Sequence, residues 1–403
     1  MVNATLGQRL FIHVCLLILW RTESSSVDIT IVEDALAKGA VCSDGSPSAY
    51  QYAKGVGEGI NNWLVHLEGG AWCESVERCT YRAGKHVGSS KYMTGLNFTG
   101  ILNNKKKFNP DFYNWNRILV RYCDGSSFTG DVEEVDPATM LHFRGARIFR
   151  AVMEELLAKG MENASNALLT GCSAGGLATI LHCDNFRNLL PSSTKVKCVS
   201  DAGYFIHAKD YAGGNSSADF FQQVVELHVL SQLTGLSFLI FNLIISVTRL
   251  QGSAKNLPPW CTSIMKPSLI ENIMAPKRAD PCGSWKFCKF NIYKCSPAQA
   301  KTWQDFRRAI IRALAALGRS SSRGMFINSC HTHCQTTLDS KWYGPAASRL
   351  MNKTIGEAVG DWYYGRSGFQ QIDHGHDWPQ LCVFDPSEHP KDYLSCTHSS
   401  SGQ

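Results

Sequence analysis

The segment from Asn166 to Phe186, Asn-Ala-Leu-Leu-Thr-Gly-Cys-Ser-Ala-Gly-Gly-Leu-Ala-Thr-Ile-Leu-His-Cys-Asp-Asn-Phe, constrains this chain more than any other. Its apolar run from Ala167 to Thr170 reads as a buried strand. Gly171-Cys172-Ser173-Ala174-Gly175 then fits G-x-S-x-G, and Leu177, Ile180, Leu181 and Cys183 recur at roughly helical spacing. Strand, sharp turn and helix in that order make a nucleophile elbow. Glycines are required because side chains would clash in so tight a turn. The turn would lift the Ser173 hydroxyl above the strand ends, and the N–H of Ala174 at the helix start would face a developing oxyanion. The competing reading is a glycine-rich strand-to-helix turn whose serine is incidental.

With 403 residues, 44% hydrophobic and 18% charged, the chain can bury a large core and is not disordered. Its net charge of +6 is mild, and the longest basic run is Lys105-Lys106-Lys107, so nucleic acid is not an expected partner. Diffuse positive charge is compatible with a polyanionic substrate. Sixteen scattered cysteines without paired zinc spacing predict disulfides and hence an oxidising compartment. Cys330 and Cys334 flank His331 and His333, but no second ligand pair lies near in sequence, so no metal is expected.

Arg9, the apolar run from Leu10 to Trp20 and the small residues Ser24 to Ser26 have the shape of a signal peptide over residues 1–26, too short for a membrane span. Its removal takes Cys15 and leaves an odd number of cysteines, hence one unpaired or intermolecular thiol. Asn97, Asn163, Asn215 and Asn352 open N-x-[ST] triplets that agree with secretion.

Strands are expected at Val27 to Val32, Trp63 to Leu67, Asn116 to Tyr122, Val196 to Tyr204 and Gly324 to Asn328, with helices at Arg147 to Lys159 and Ala298 to Leu317. Ile148, Val152 and Leu156 form one apolar stripe, and Glu155 can pair with Lys159. Glu68-Gly69-Gly70 ends the Trp63 strand where hydrolases of this architecture keep a second oxyanion donor; a simple turn is the alternative. The polar loop from Cys123 to Asp131 follows another strand and is expected to line a site. Cys73 and Cys79 are close enough for a local disulfide. Between His228 and Arg249 the chain carries no charge, yet polar residues are scattered through it; a buried or misplaced apolar insert fits better than a membrane span. Residues from Leu257 to Pro297 read as Cys- and Pro-rich irregular chain. A histidine just past a late strand, His331 or His333, stands where a Ser…acid…His order puts its base, and spacing does not choose between them. The architecture expected is an α/β-hydrolase-like, mostly parallel sheet flanked by helices, one domain over residues 27–390 with a polar tail at 391–403.

The stretches Asn61-Asn-Trp-Leu-Val-His-Leu-Glu-Gly-Gly70, Phe108-Asn-Pro-Asp-Phe-Tyr-Asn-Trp-Asn-Arg117, Tyr122-Cys-Asp-Gly-Ser-Ser-Phe-Thr-Gly-Asp131, Gly171-Cys-Ser-Ala-Gly-Gly176, Ser200-Asp-Ala-Gly-Tyr-Phe205 and Phe326-Ile-Asn-Ser-Cys330 resemble plant pectin acetylesterases, relatives of the animal Notum carboxylesterase. The resemblance implies a secreted, extracellular cell-wall enzyme, expected to be monomeric and without cofactor, that removes acetyl groups from pectin. It places the catalytic serine on Ser173, the histidine of an S-C-x-x-H-C-Q motif on His333, and the oxyanion donors on Gly70 and Ala174. A Notum-like deacylase of an acylated protein and a catalytically dead carbohydrate-binding protein are the alternatives.

Three departures from the family pattern stand out. Val229 to Gln251 has no family counterpart. A family segment carrying the triad aspartate is missing near residues 268–270, where Lys266 and Pro267 are the nearest residues; Asp280 matches a different family position. The cysteines near the C-terminus are replaced around Asp373 to Trp378. An insertion beside a deletion is the pattern that retained intron sequence and a skipped exon leave; transcript sequence coding continuously through 229–251 would exclude it. An impaired esterase is expected.

Overall fold

The computed structural model describes residues 26–206, 208–229, 260–262, 275, 280, 282–316, 318, 320, 322–330 and 332–373. Its strands are β1 (Ile29–Ile31), β2 (Ala49–Ala53), β3 (Asn62–Leu67), β4 (Asn116–Val120), β5 (Asn166–Cys172), β6 (Lys195–Asp201), β7 (Trp260–Thr262), β8 (Met325–Ile327) and β9 (Gln370–Ile372). They form one sheet in the order β1-β2-β4-β3-β5-β6-β7-β8-β9. β2 runs antiparallel to β1 and β4; from β4 to β9 all neighbours are parallel. The helices are α1 (Val76–Ala83), α2 (Gly145–Ala158), α3 (Ala174–Asn188), α4 (Ser216–Val229), α5 (Lys286–Phe290), α6 (Pro297–Ala315), α7 (Asp339–Trp342) and α8 (Ile355–Tyr364).

β3 is buried from Trp63 and β5 from Ala167 onward because helices cover both faces of the sheet there. Val65, Leu67, Ala167 and Leu169 pack with Ile148, Val152 and Leu156 of α2. Leu64 and Leu168 face the other way, onto Trp115, Trp342 and α8. The α2 stripe is fully buried, and Lys159 Nζ lies 3.4 Å from Glu155 Oε1 as the spacing predicts. Gly160, at φ 110°, then takes a left-handed conformation that stops the helix. α6 buries Trp303, Phe306, Ile310 and Leu314.

Three expectations are corrected. The strand expected through Tyr204 ends at Asp201. The supposedly irregular Leu257 to Pro297 stretch contributes β7 and α5. The Cys123 to Asp131 loop is almost wholly buried and acts as a brace, as shown below. Cys42–Cys123, Cys73–Cys79, Cys172–Cys334, Cys183–Cys198 and Cys288–Cys295 are disulfides, the second as expected. Cys330 is disulfide-bonded as well, so neither cysteine flanking His331 and His333 offers a thiolate to a metal.

Among the described residues no helix is long and apolar enough to cross a membrane. Residues 1–25 of the leader expected at 1–26, the uncharged stretch from residue 230 onward, residues 268–270 where a family segment is expected to be missing, His331, residues 374–378 and the tail lie outside the described residues.

Candidate active site

Ser173 sits between the last residue of β5 and the first of α3, at φ 60° and ψ −122°, a conformation that costs a non-glycine residue strain. Its N–H donates to the Asp201 carbonyl at 2.9 Å, and its carbonyl accepts from Leu177 N at 2.9 Å. The flanking glycines are explained by close approach. A Cβ on Gly175 would lie 2.0 Å from the Leu67 carbonyl oxygen, and one on Gly171 would lie 2.2 Å from the Gly175 oxygen. Ala174 opens the helix and is fully buried.

Beside the elbow runs the loop that leaves β3. A Cβ on Gly69 would meet the Cys172 carbonyl oxygen at 2.4 Å and Ser173 Cβ at 2.9 Å, so this backbone lies directly on the elbow. The loop is held from below. The Glu68 carboxylate accepts from Arg121 Nε and Tyr122 N, each at 2.9 Å. Tyr122 Oη donates to the Ala71 carbonyl at 2.8 Å and accepts from Ser127 N at 3.0 Å. Trp72 Nε1 donates to Ser127 Oγ at 2.7 Å, and Arg82 Nη1 of α1 donates to the Gly70 carbonyl at 2.7 Å. Ser127 thus belongs to the Cys123 to Asp131 loop, which braces Glu68 to Cys73 from behind and forms none of the cavity wall described next. Within it, burial raises the Asp124 carboxyl pKa, although Ser126 N, Ser126 Oγ and Phe128 N all donate to it. Burial likewise lowers the Arg82 pKa.

The third component follows β8. Cys334, at φ 53°, is bonded to Cys172, so the sequence neighbours of His333 and Ser173 are covalently joined. Asp201 supplies a second tie. Its carbonyl holds Ser173 N, while its carboxylate accepts from Thr336 N at 2.8 Å and Thr336 Oγ1 at 2.9 Å. His333 Nε2 lies 4.0 Å from Cys172 Sγ. Ser173, His333 and Gly70 line one cavity of about 370 Å³. Asn97, Phe98 and Thr99 form part of its wall, with Leu96, Leu102 and Leu119. Glu68 is the cavity's one Asp, Glu, Lys or Arg among the described residues, so the wall is mixed rather than basic. Asp280, set aside on sequence, accepts from Ser284 N at 2.8 Å and Trp285 N at 2.9 Å, capping a turn.

Arg82, Tyr122, Asp201 and the Cys172–Cys334 bond were not singled out by sequence. Their partners lie far away in the chain, and Asp201 reads locally as nothing more than the end of a strand.

A mostly parallel sheet in this strand order, a strained serine between its fifth strand and the next helix, and a histidine after its eighth strand define an α/β-hydrolase-like fold. The sequence model of the pectinacetylesterase family matches residues 20–270 and 268–383, and the chain belongs to that family of esterases. Pectin acetylesterase 7 of Arabidopsis thaliana is 49% identical over 377 residues, covering 87% of this chain and 90% of the relative. Palmitoleoyl-protein carboxylesterase notum1a of Danio rerio is 33% identical over 177 residues, 42% of this chain and 35% of its own length. The solved structure of the Wnt deacylase Notum from Drosophila matches the fold with a TM-score of 0.70 at 23% identity, over 88% of this chain and 98% of that one.

Proposed function

We propose that this chain is a serine carboxylesterase that removes acetyl groups from pectin. His333 takes the proton as Ser173 Oγ attacks the acetyl carbonyl carbon. The N–H groups of Gly70 and Ala174 receive the tetrahedral oxyanion. The bond from the acyl carbon to the sugar oxygen breaks as His333 gives its proton to that oxygen, which leaves as a hydroxyl. A water activated by the same imidazole then releases acetate and regenerates the serine. No cofactor enters this cycle. The observation that carries the reading is that Ser173 and His333, far apart in sequence, line one cavity and are stapled through their neighbours. The 49% identity to a pectin acetylesterase supports the substrate. The apolar wall residues Leu96, Leu102 and Leu119 favour the second reading, deacylation of an acylated protein.

The same proposal takes residues 1–26 as a cleaved leader, 27–390 as one domain, the product as secreted to the cell wall, and the working form as a monomer. It also holds that this chain is a slow esterase. The resemblance puts no carboxylate at the triad acid's place, the two family matches meet at 268–270, and the Asp280 carboxylate is engaged as a turn cap. Loss of a triad acid costs turnover on the order of 10⁴-fold while the oxyanion donors keep residual catalysis. The experiment is acetate release from acetylated pectin, with fluorophosphonate labelling, for this chain and its Ser173→Ala variant. Slow release and labelling, both lost in the variant, are expected. Release that survives in the variant would overturn the assignment.

A further inference from the structure

His66 and Thr170 interrupt an otherwise apolar face of the sheet. Across β4, β3, β5 and β6 the register aligns Leu119, His66, Thr170 and Val199. Leu119 and Val199 pack with Leu64 and Leu168 in the core under the site. His66 is 2% exposed and lines the cavity that holds Ser173 and His333. Its Nδ1 has no hydrogen-bond partner among the described residues, and neither has the hydroxyl of Thr170 opposite it. The buried His182 and His228 also leave Nδ1 unpartnered, but each is anchored through its other ring nitrogen. His182 Nε2 lies 2.9 Å from the Phe128 carbonyl, and His228 Nε2 lies 3.0 Å from the Cys73 carbonyl. A buried polar atom without a partner costs free energy and calls for an explanation. Here a cavity adjoins the imidazole ring, so a bound molecule can supply a partner to it.

We infer that His66, backed by Thr170, selects the substrate class: it hydrogen-bonds the hydroxyl-bearing sugar part of a carbohydrate ester and disfavours an aliphatic acyl chain. This rests on the carbohydrate-ester reading above. The physical asymmetry is large. A hydroxyl of a sugar satisfies the imidazole, whereas an alkyl chain in the same space leaves it desolvated and unpaired. Burial holds the His66 pKa down at about 4, so above pH 5 or so the ring is neutral and offers one donor and one acceptor.

The test measures binding, so it is independent of turnover. Dissociation constants are determined by titration calorimetry on Ser173→Ala protein, for an acetylated galacturonide trisaccharide and for monooctanoylglycerol. They are then determined again with His66→Phe or His66→Gln added. His66→Phe is expected to weaken the trisaccharide by roughly tenfold or more without weakening monooctanoylglycerol, while His66→Gln, which keeps a donor and an acceptor, holds the trisaccharide within about threefold. If His66→Phe weakens both ligands alike, or neither, this inference fails and the carbohydrate reading stands. If the parent Ser173→Ala protein prefers monooctanoylglycerol or binds neither ligand, the carbohydrate reading fails and takes this inference with it.

Discussion

At the scale of single residues, the elbow is a packing problem solved by the absence of side chains. The space a Cβ on Gly175 would need is occupied by the Leu67 carbonyl at 2.0 Å, backbone that cannot rotate away. Gly175→Ala is therefore expected to destabilise the fold by about 2 kcal/mol or more and to abolish labelling of Ser173, read from urea unfolding and a fluorophosphonate probe. Arg82 acts differently. Its guanidinium reaches from α1 to the Gly70 carbonyl, so it orients that peptide without entering the cavity wall. Arg82→Ala should lower kcat for a small acetyl ester by roughly tenfold while KM changes little, because it loosens the Gly70–Ala71 peptide, one link beyond the Gly70 N–H proposed above as an oxyanion donor. An equal effect on KM would assign Arg82 to substrate binding instead.

At the scale of elements, legibility followed locality. β3, β5, α2 and α6 were readable because their apolar spacing is local and strong. β2 was not, since Tyr50-Gln51-Tyr52 mixes polar and aromatic residues; Gln51 is buried because Arg121, a neighbour in space and remote in sequence, donates to it at 3.1 Å. β7 has three residues and no pattern of its own. α8 carried a signal that was overlooked: Thr354 and Glu357 form a capping box. The site divides the same way. Ser173 and Gly70 stand out in short motifs, whereas the Asp201 tie needs a sheet before it means anything. The Cys172–Cys334 bond holds the β8 loop against the end of β5. Cys334→Ser is expected to cut kcat/KM by about 100-fold, as small misplacements of a reacting pair do, and to lower stability by about 2–5 kcal/mol. Ester kinetics and urea titration check both, and unchanged kinetics would show that Asp201 alone suffices to position the loop.

At the scale of the molecule, three buried histidines tie stability to pH. Burial pushes His66, His182 and His228 down to about 4. In the unfolded chain each returns to its ordinary value near 6.5, so between pH 6.5 and about 4 the unfolded state binds more protons. Their contribution is fully present above pH 6.5 and is lost as pH falls toward 4. The urea midpoint should drop between pH 7.5 and pH 5, and His182→Gln should reduce that pH slope by about one proton. A slope unaltered by the variant would exclude His182 as a source.

The covalent tie from Cys172 to Cys334 spans 162 positions of chain. During synthesis the serine therefore leaves the ribosome long before the imidazole assigned to it. For that interval the nascent polypeptide carries a nucleophile with no base, and the pair is completed only after most of the protein has been made and two distant sulfurs have been oxidised. On the proposed assignment, hydrolytic competence belongs to the finished, oxidised chain and to no N-terminal fragment of it.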